Sequence, residues 1–172
     1  CMEVAIDEVR AQGKIAEACI CYTGDILDPK KTKYTLEYYV AKAKEIEKAG
    51  AHILGIKDMS ALLKPYAAHK LITALKKEIS IPIHLHTHDT TGNGVATVLI
   101  AADAGVDIVD TTFNSMSGLT SQPALNSIVA ALGNTSRDTG IDLSGVQKLY
   151  DYWYTVRPVY SQFESDLKSG SA

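Results

Sequence analysis

The sequence predicts an α/β fold of parallel βα repeats, and three features of its 172 residues indicate this class. Short apolar runs alternate with longer amphipathic segments, as in strands and helices joined by right-handed crossovers. The units recur about every thirty residues, the usual length of a βαβ step. Aspartates follow the first three predicted strands, at Asp25, Asp58 and Asp89. Because parallel strands end at one edge of a sheet, functional groups are expected there.

The predicted elements come in the order helix, four strand–helix units and one further helix. Helices are predicted at 2–12, 36–49, 65–79, 94–104, 123–132 and from 144 onward, and strands at 15–23, 52–57, 81–88 and 106–110. Strand 15–23 carries apolar residues on both faces, so both faces are expected to be covered. Ser144 is expected to cap the last helix, and Pro158 to bend or end it.

Four such units predict the later part of a TIM barrel, since a complete (βα)8 barrel needs about 250 residues. We expect residues 1–13 to form a helix that precedes the first strand. Residues 14–133 are expected to hold the four βα units, and residues 134–168 a C-terminal helical segment. Cys1 and the Ser-Gly-Ser-Ala sequence at 169–172 are expected to be additions, the latter a linker or tag.

Composition and motifs argue against several classes of function. The net charge is −3 and no basic stripe is present, so no nucleic-acid partner is expected. No apolar run reaches membrane length and acidic residues begin at Glu3, so neither a membrane partner nor a signal peptide is expected. The odd cysteine count favours a reducing compartment, the cytoplasm of a bacterium or the mitochondrial matrix of a eukaryote. No Gly-x-Gly-x-x-Gly follows a strand, which argues against a dinucleotide site.

The segment Pro82–Asp89 carries the clearest chemical pattern. Strand geometry places His84, His86 and His88 on one side. Two imidazoles at i and i+2 can bind one divalent ion such as zinc, manganese or cobalt. The same spacing also fits a polar strand end whose histidines are held by hydrogen bonds alone.

Lys57 ends the strand before the histidine segment and has two possible roles. The strand ends should bring five side chains to one mouth: Asp25, Lys57, His86, His88 and Asp110. As an ammonium, Lys57 would repel a metal and pair with Asp58 or Asp89. As a desolvated neutral amine, it could add carbon dioxide and form a carbamate, which is an anionic metal ligand.

Five ordered segments resemble the carboxyltransferase domain of biotin-dependent pyruvate carboxylases. They are Cys21–Leu27, Gly55–Met59, Leu63–Pro65, His84–Gly92 and Ser115–Pro123, within a similarity that runs from Val4 to Asp166. The resemblance implies a TIM-barrel domain with a divalent metal ion (Mn, Zn or Co) at its mouth. It also implies carboxyl transfer from carboxybiotin to pyruvate, which gives oxaloacetate through a metal-stabilised enolate.

The resemblance further implies roles for individual residues. The metal ligands would be Lys57, carbamylated and catalytic, together with His86 and His88. Met59 would line the substrate pocket. Three residues would contact the ligands without binding the metal themselves: His84, Asp58 and Asp89. Biotin is expected on another domain, and the parent enzyme is expected to be a homo-oligomer. The family's first-strand aspartate, substrate-binding arginine and glutamine, and downstream threonine have no match here, so the isolated chain is expected to be almost inactive.

Two alternatives to this function stay open on the sequence. One is a metal-dependent aldolase or lyase of the same barrel superfamily, similar to hydroxymethylglutaryl-CoA lyase. Such enzymes share the His-x-His pattern but need not have a metal-binding lysine. The other is a non-catalytic half-barrel that self-associates through its open sheet edges.

Overall fold

The computed structural model describes residues 2–164, which form one parallel sheet with helices between its strands. In chain order the elements are α1 (Met2–Ala11), β1 (Glu17–Cys21), α2 (Leu36–Lys48), β2 (Ile53–Asp58), α3 (Pro65–Glu78), β3 (Ile83–Thr87), α4 (Gly94–Asp103), β4 (Ile108–Val109), α5 (Leu125–Leu132) and α6 (Leu143–Val156). This order confirms the predicted α/β class. The predicted additions at Cys1 and 169–172 lie outside the described residues.

The strands pair in sequence order, β1-β2-β3-β4, and every pair is parallel. At the carboxyl edge, Cys21 lies opposite Lys57, and Lys57 lies opposite His86. β4 contributes only two residues to the sheet, fewer than the five predicted. The register therefore brings the end of β2 beside the histidines of β3.

One face of the sheet packs against the helices and forms the core. The strand residues buried there are Ala18, Ile20, Leu54, Ile56, Ile83 and Leu85. Helix α3 buries the predicted stripe of Ala68, Leu71, Ile72 and Leu75, whose three- and four-residue spacing aligns them on one side. Within residues 2–164, no helix is long and apolar enough to cross a bilayer.

Among residues 2–164, no helix covers the opposite face of the sheet. Glu17, Cys19 and Cys21 are exposed there, and both thiols are free. The prediction that strand 15–23 is covered on both faces is therefore wrong. The apolar residues of β1 that are buried are Ala18 and Ile20, which point to the helix side by strand alternation. The uncovered face is polar and carries the candidate site.

Two predicted helix starts are corrected by local hydrogen bonds. Asp142, not Ser144, caps α6, since its carboxylate accepts bonds of 3.0 Å from the backbone amides of Ser144 and Gly145. The helix predicted at 123–132 begins at Leu125, because the backbone on either side of Ala124 bonds to Thr112. Helix α6 ends at Val156, two residues before Pro158, as predicted.

Candidate metal centre

The imidazoles of His86 and His88 face one another at the carboxyl end of β3. Their Nε2 atoms lie 3.3 Å apart, and the rings are steeply inclined at 75°. Two imidazole nitrogens bound to one tetrahedral ion at about 2.0–2.1 Å would lie about 3.3 Å apart, so the pair fits a single divalent ion. Within residues 2–164, no third histidine, cysteine or carboxylate completes a metal cluster with them.

The other nitrogen of the His86 ring is held by a carboxylate. His86 Nδ1 donates to Asp110 Oδ2 over 2.7 Å, and Asp110 is the residue directly after β4. A proton held at Nδ1 leaves the Nε2 lone pair free for a metal, which is the usual arrangement of a ligating histidine. Burial alone would raise the pKa of Asp110, but the hydrogen bond from His86 and the nearby His84 imidazole outweigh it and lower that pKa. Asp110 is therefore a charged acceptor.

The His88 ring is oriented in the same way by a backbone carbonyl. His88 Nδ1 donates to the carbonyl oxygen of Thr120 over 2.6 Å. The loop that carries Thr120 is tied to the end of β3, because the amide of Asp89 donates to the carbonyl of Ser121 over 2.9 Å. Both imidazoles thus present a free Nε2 lone pair to the same point. The two lone pairs repel each other unless a cation lies between them, which favours a metal site.

His84 lies deeper on the same face, between two carboxylates. Its Nδ1 donates to Glu17 Oε1 over 2.9 Å. Its Nε2 lies 3.0 Å from Asp110 Oδ1, but the approach is misaligned and this buried nitrogen makes no hydrogen bond. His84 therefore contacts Asp110, which holds His86, and its supporting role stays a prediction.

Lys57 is half-buried at the end of β2, directly opposite His86 in the register. In the part of the chain that the structure describes, its amine has no carboxylate partner. The two aspartates predicted as alternative partners are engaged elsewhere. Asp58 accepts from the amides of Leu62 and Leu63, and Asp89 accepts from the amide of Gly94. The carbamate role of Lys57 stays a prediction.

The remaining predicted site residues have partners of their own or are exposed. Asp58 is fully buried on the helix side of the sheet, away from Lys57. Asp25 forms a 2.6 Å ion pair with Lys64, and this contact lowers the pKa of Asp25. Met59 is 54% exposed in the loop after β2. Asp110 thus contacts the histidines directly, whereas Asp25 forms its ion pair with Lys64, the residue before α3.

Removing the Asp110 carboxylate should weaken metal binding without disturbing the core. We expect Asp110→Ala to reduce the affinity of the chain for Zn²⁺ by about 10- to 100-fold, because His86 would lose the acceptor that orients it. Asp110→Asn keeps an acceptor oxygen and should retain most of the affinity. Competition titration with a chelating dye measures both. Equal losses in the two variants would contradict the orienting role.

Comparison with known proteins finds one matching family and several similar pyruvate carboxylases. The family described as HMGL-like matches residues 11–152. Pyruvate carboxylase of Bacillus subtilis is 56% identical over 168 residues, and that of Staphylococcus aureus is 58% identical over 169. Each alignment covers 98% of this chain but only 15% of the relative. The chain therefore spans a small part of the length of these curated relatives.

Solved structures give the same result at the level of the fold. The carboxyl transferase domain of Rhizobium etli pyruvate carboxylase, solved with pyruvate and biocytin, superposes with a TM-score of 0.97 at 50% identity. The match covers 99% of this chain and 28% of that domain's chain. The four-stranded sheet and its helices are thus arranged as in part of that domain.

Proposed function

Because this chain belongs to the HMGL-like family and is homologous to the carboxyltransferase domain of pyruvate carboxylase, we propose that it supplies the metal-binding part of such a domain. The proposed reaction moves a carboxyl group from carboxybiotin to pyruvate and gives oxaloacetate. The observation that carries the proposal is the pair of facing Nε2 atoms of His86 and His88. A divalent ion bound there (Mn, Zn or Co) would polarise the keto oxygen of a 2-oxoacid and favour its enolate.

The chain's own residues prepare this site before any ligand arrives. His86 and His88 would hold the ion, while Asp110 and the Thr120 carbonyl keep their protons on Nδ1. Holding both rings in one orientation lowers the ordering cost of binding. Two hydrogen bonds, one to the residue after β4 and one to the loop at Thr120, therefore define the two imidazole positions.

Lys57 is the proposed third ligand. The neutral amine would attack the carbon of carbon dioxide and release one proton, which leaves a carbamate whose anionic oxygens can bind a cation. Its place opposite His86 and the absence of a carboxylate partner among residues 2–164 support this role.

The substrates and partners are proposed from the relatives. The Rhizobium etli domain was solved with pyruvate and biocytin, and we extend both ligand classes to this chain, with biotin carried on another domain. Identity of 56–58% to pyruvate carboxylases favours carboxyl transfer over a lyase reaction. We further propose that the full-length enzyme is a homo-oligomer of the cytoplasm or the mitochondrial matrix, where the exposed thiols of Cys19 and Cys21 would stay reduced.

A chimaeric enzyme tests the proposed function. The matching segment of Bacillus subtilis pyruvate carboxylase is replaced by this chain, and pyruvate-dependent oxaloacetate formation is measured. We expect the chimaera to be active and its Lys57→Met variant to lose at least about 100-fold in rate, as expected when a metal ligand is removed. A folded chimaera without activity, or a Lys57→Met variant with full activity, would contradict the proposal. The isolated chain should give no oxaloacetate, because its site lies on a sheet face open to solvent.

A further inference from the structure

Three consecutive residues after β3 each donate a hydrogen bond to one turn of the loop that follows β4. The turn comprises residues 118–121, and a 2.9 Å bond from the Ser121 amide to the Gly118 carbonyl closes it. The three bonds that it accepts run from His88 Nδ1 to the Thr120 carbonyl (2.6 Å), from the Asp89 amide to the Ser121 carbonyl (2.9 Å) and from the Thr90 hydroxyl to the Leu119 carbonyl (3.3 Å). Two of these donors do not belong to the imidazole, so they hold the turn independently of it.

Leu119 gives this turn a backbone conformation that residues with a Cβ atom disfavour. Its φ is 53°, whereas the φ of Thr120 is not positive. This is the pattern of a type II′ turn, whose first central residue is usually glycine. A leucine stays in the left-handed region only where surrounding contacts hold it there. The Thr90 hydroxyl supplies such a contact, because it bonds to the carbonyl of Leu119 itself.

The conformation of Leu119 decides where the next carbonyl points. Thr120 is exposed, so packing of its own side chain does not fix its backbone. If Leu119 returned to negative φ, the chain would rotate at that residue and the Thr120 carbonyl would turn away from His88. A carbonyl oxygen only accepts, so its bond to Nδ1 keeps the His88 proton on that nitrogen and leaves Nε2 with its lone pair.

We propose that Thr90 is a positioning residue for the metal centre, because its hydroxyl holds the turn 118–121 in the conformation that presents a carbonyl to His88. The inference rests on the proposed metal role of His88. Within residues 2–164, the Thr90 hydroxyl bonds to the turn and to neither imidazole, so its effect on the site passes through the turn. The requirement at position 90 is for a hydroxyl donor.

Zinc titration of the 172-residue chain tests the proposal through variants at position 90. Thr90→Val removes the hydroxyl at nearly constant shape and should weaken Zn²⁺ binding by about 3- to 10-fold, less than the loss of a direct partner of the imidazole. Thr90→Ser keeps the donor and should bind like the unsubstituted chain. Thr91→Val is the matched control, because the Thr91 hydroxyl also bonds over 3.3 Å to the carbonyl of a left-handed residue, Ala61, in a loop that accepts no bond from either imidazole.

A second substitution tests whether Thr90 acts through the conformation of Leu119. Glycine adopts positive φ without the cost that leucine bears, so Leu119→Gly makes the turn independent of the hydroxyl. Thr90→Val should therefore change the Zn²⁺ affinity of Leu119→Gly much less than that of the unsubstituted chain. Equal losses in the two backgrounds would overturn the inference.

A metal-free measurement separates this inference from the proposed function. Long-range ¹H–¹⁵N spectra of the neutral imidazoles should show His88 protonated at Nδ1 in the unsubstituted chain and in Thr90→Ser, and a tautomer mixture in Thr90→Val. The His86 signals should stay unchanged, because Asp110 and not the turn holds that ring. Thermal melts establish that each variant is folded.

The spectra decide the positioning role even if the unsubstituted chain binds no zinc, an outcome that would refute the proposed function alone. Unchanged His88 signals in folded Thr90→Val would overturn the inference, as would equal effects of valine and serine at position 90. Equal changes at His86 and His88 would also overturn it, because they would indicate a general disturbance of the site.

Discussion

Asp58→Ala is expected to lower the free energy of unfolding by about 3–5 kcal/mol. The Asp58 side chain is fully buried, and its carboxylate accepts bonds of 2.9 Å from the amides of both Leu62 and Leu63. The Thr87 hydroxyl donates to it over 3.1 Å. Each buried donor left unpaired costs about 1–3 kcal/mol, and removing the Asp58 carboxylate leaves several donors unpaired at once, which gives the large effect.

The loop that Asp58 holds makes this loss harder to recover. Ala61 within the loop has φ of 55°, a left-handed conformation that residues with a Cβ atom disfavour. Hydrogen bonds to Asp58 on both sides of Ala61 keep the loop in that conformation. Without the carboxylate the loop would relax, and the buried Leu63, two residues before α3, would lose the hydrogen bond that anchors it.

Urea unfolding followed by circular dichroism measures the effect of Asp58→Ala. Asp25→Ala is the matched control, since Asp25 also follows a strand but pairs with Lys64, whose side chain is 58% exposed. Solvent screens that exposed pair, so its loss should change the free energy of unfolding much less than the loss of Asp58. A loss below about 1 kcal/mol in Asp58→Ala, or equal losses in both variants, would show that the buried network does not hold the loop.

Replacing either facing histidine should almost abolish metal binding. We expect His86→Ala and His88→Ala each to weaken Zn²⁺ binding by more than about 100-fold, since a direct ligand contributes more than the groups that orient it. The fold should persist, because both side chains lie on the uncovered face or at its edge rather than in the core.

Titration calorimetry with Zn²⁺ and Mn²⁺ measures these losses. His69→Ala is the control, because His69 is an exposed imidazole of α3 that contributes to the groove between α2 and α3. The His69→Ala variant should bind both ions with the affinity of the unsubstituted chain. Retention of parent affinity in His86→Ala or His88→Ala would place the metal elsewhere.

Much of the fold follows from local patterns in the sequence. The stripe of α3 was predictable because Leu71, Ile72 and Leu75 repeat at helical spacing beside charged neighbours. The cap of α6 was not, because Asp142 and Ser144 are both good capping residues and only the backbone decides between them. The covering of β1 was predicted wrongly, because Cys19 and Cys21 were counted as apolar together with Ala18 and Ile20, and the charge of Glu17 on the cysteine face was not weighed.

The candidate site was predictable only in part. The i, i+2 spacing of His86 and His88 places them on one face whatever the fold around them. Asp110 could be placed at the same mouth because parallel strands share an edge. The Thr120 carbonyl carries no side-chain signal, and Glu17 lies 67 residues from His84. Only the strand register brings those two together, and register cannot be read from one strand alone.

X-ray absorption spectroscopy of the Zn²⁺-loaded chain tests the central claim most directly. The account predicts two imidazole nitrogens bound to the ion at about 2.0–2.1 Å, with one of them lost in His86→Ala and one in His88→Ala. A spectrum without imidazole scattering, or one that neither variant changes, would contradict it.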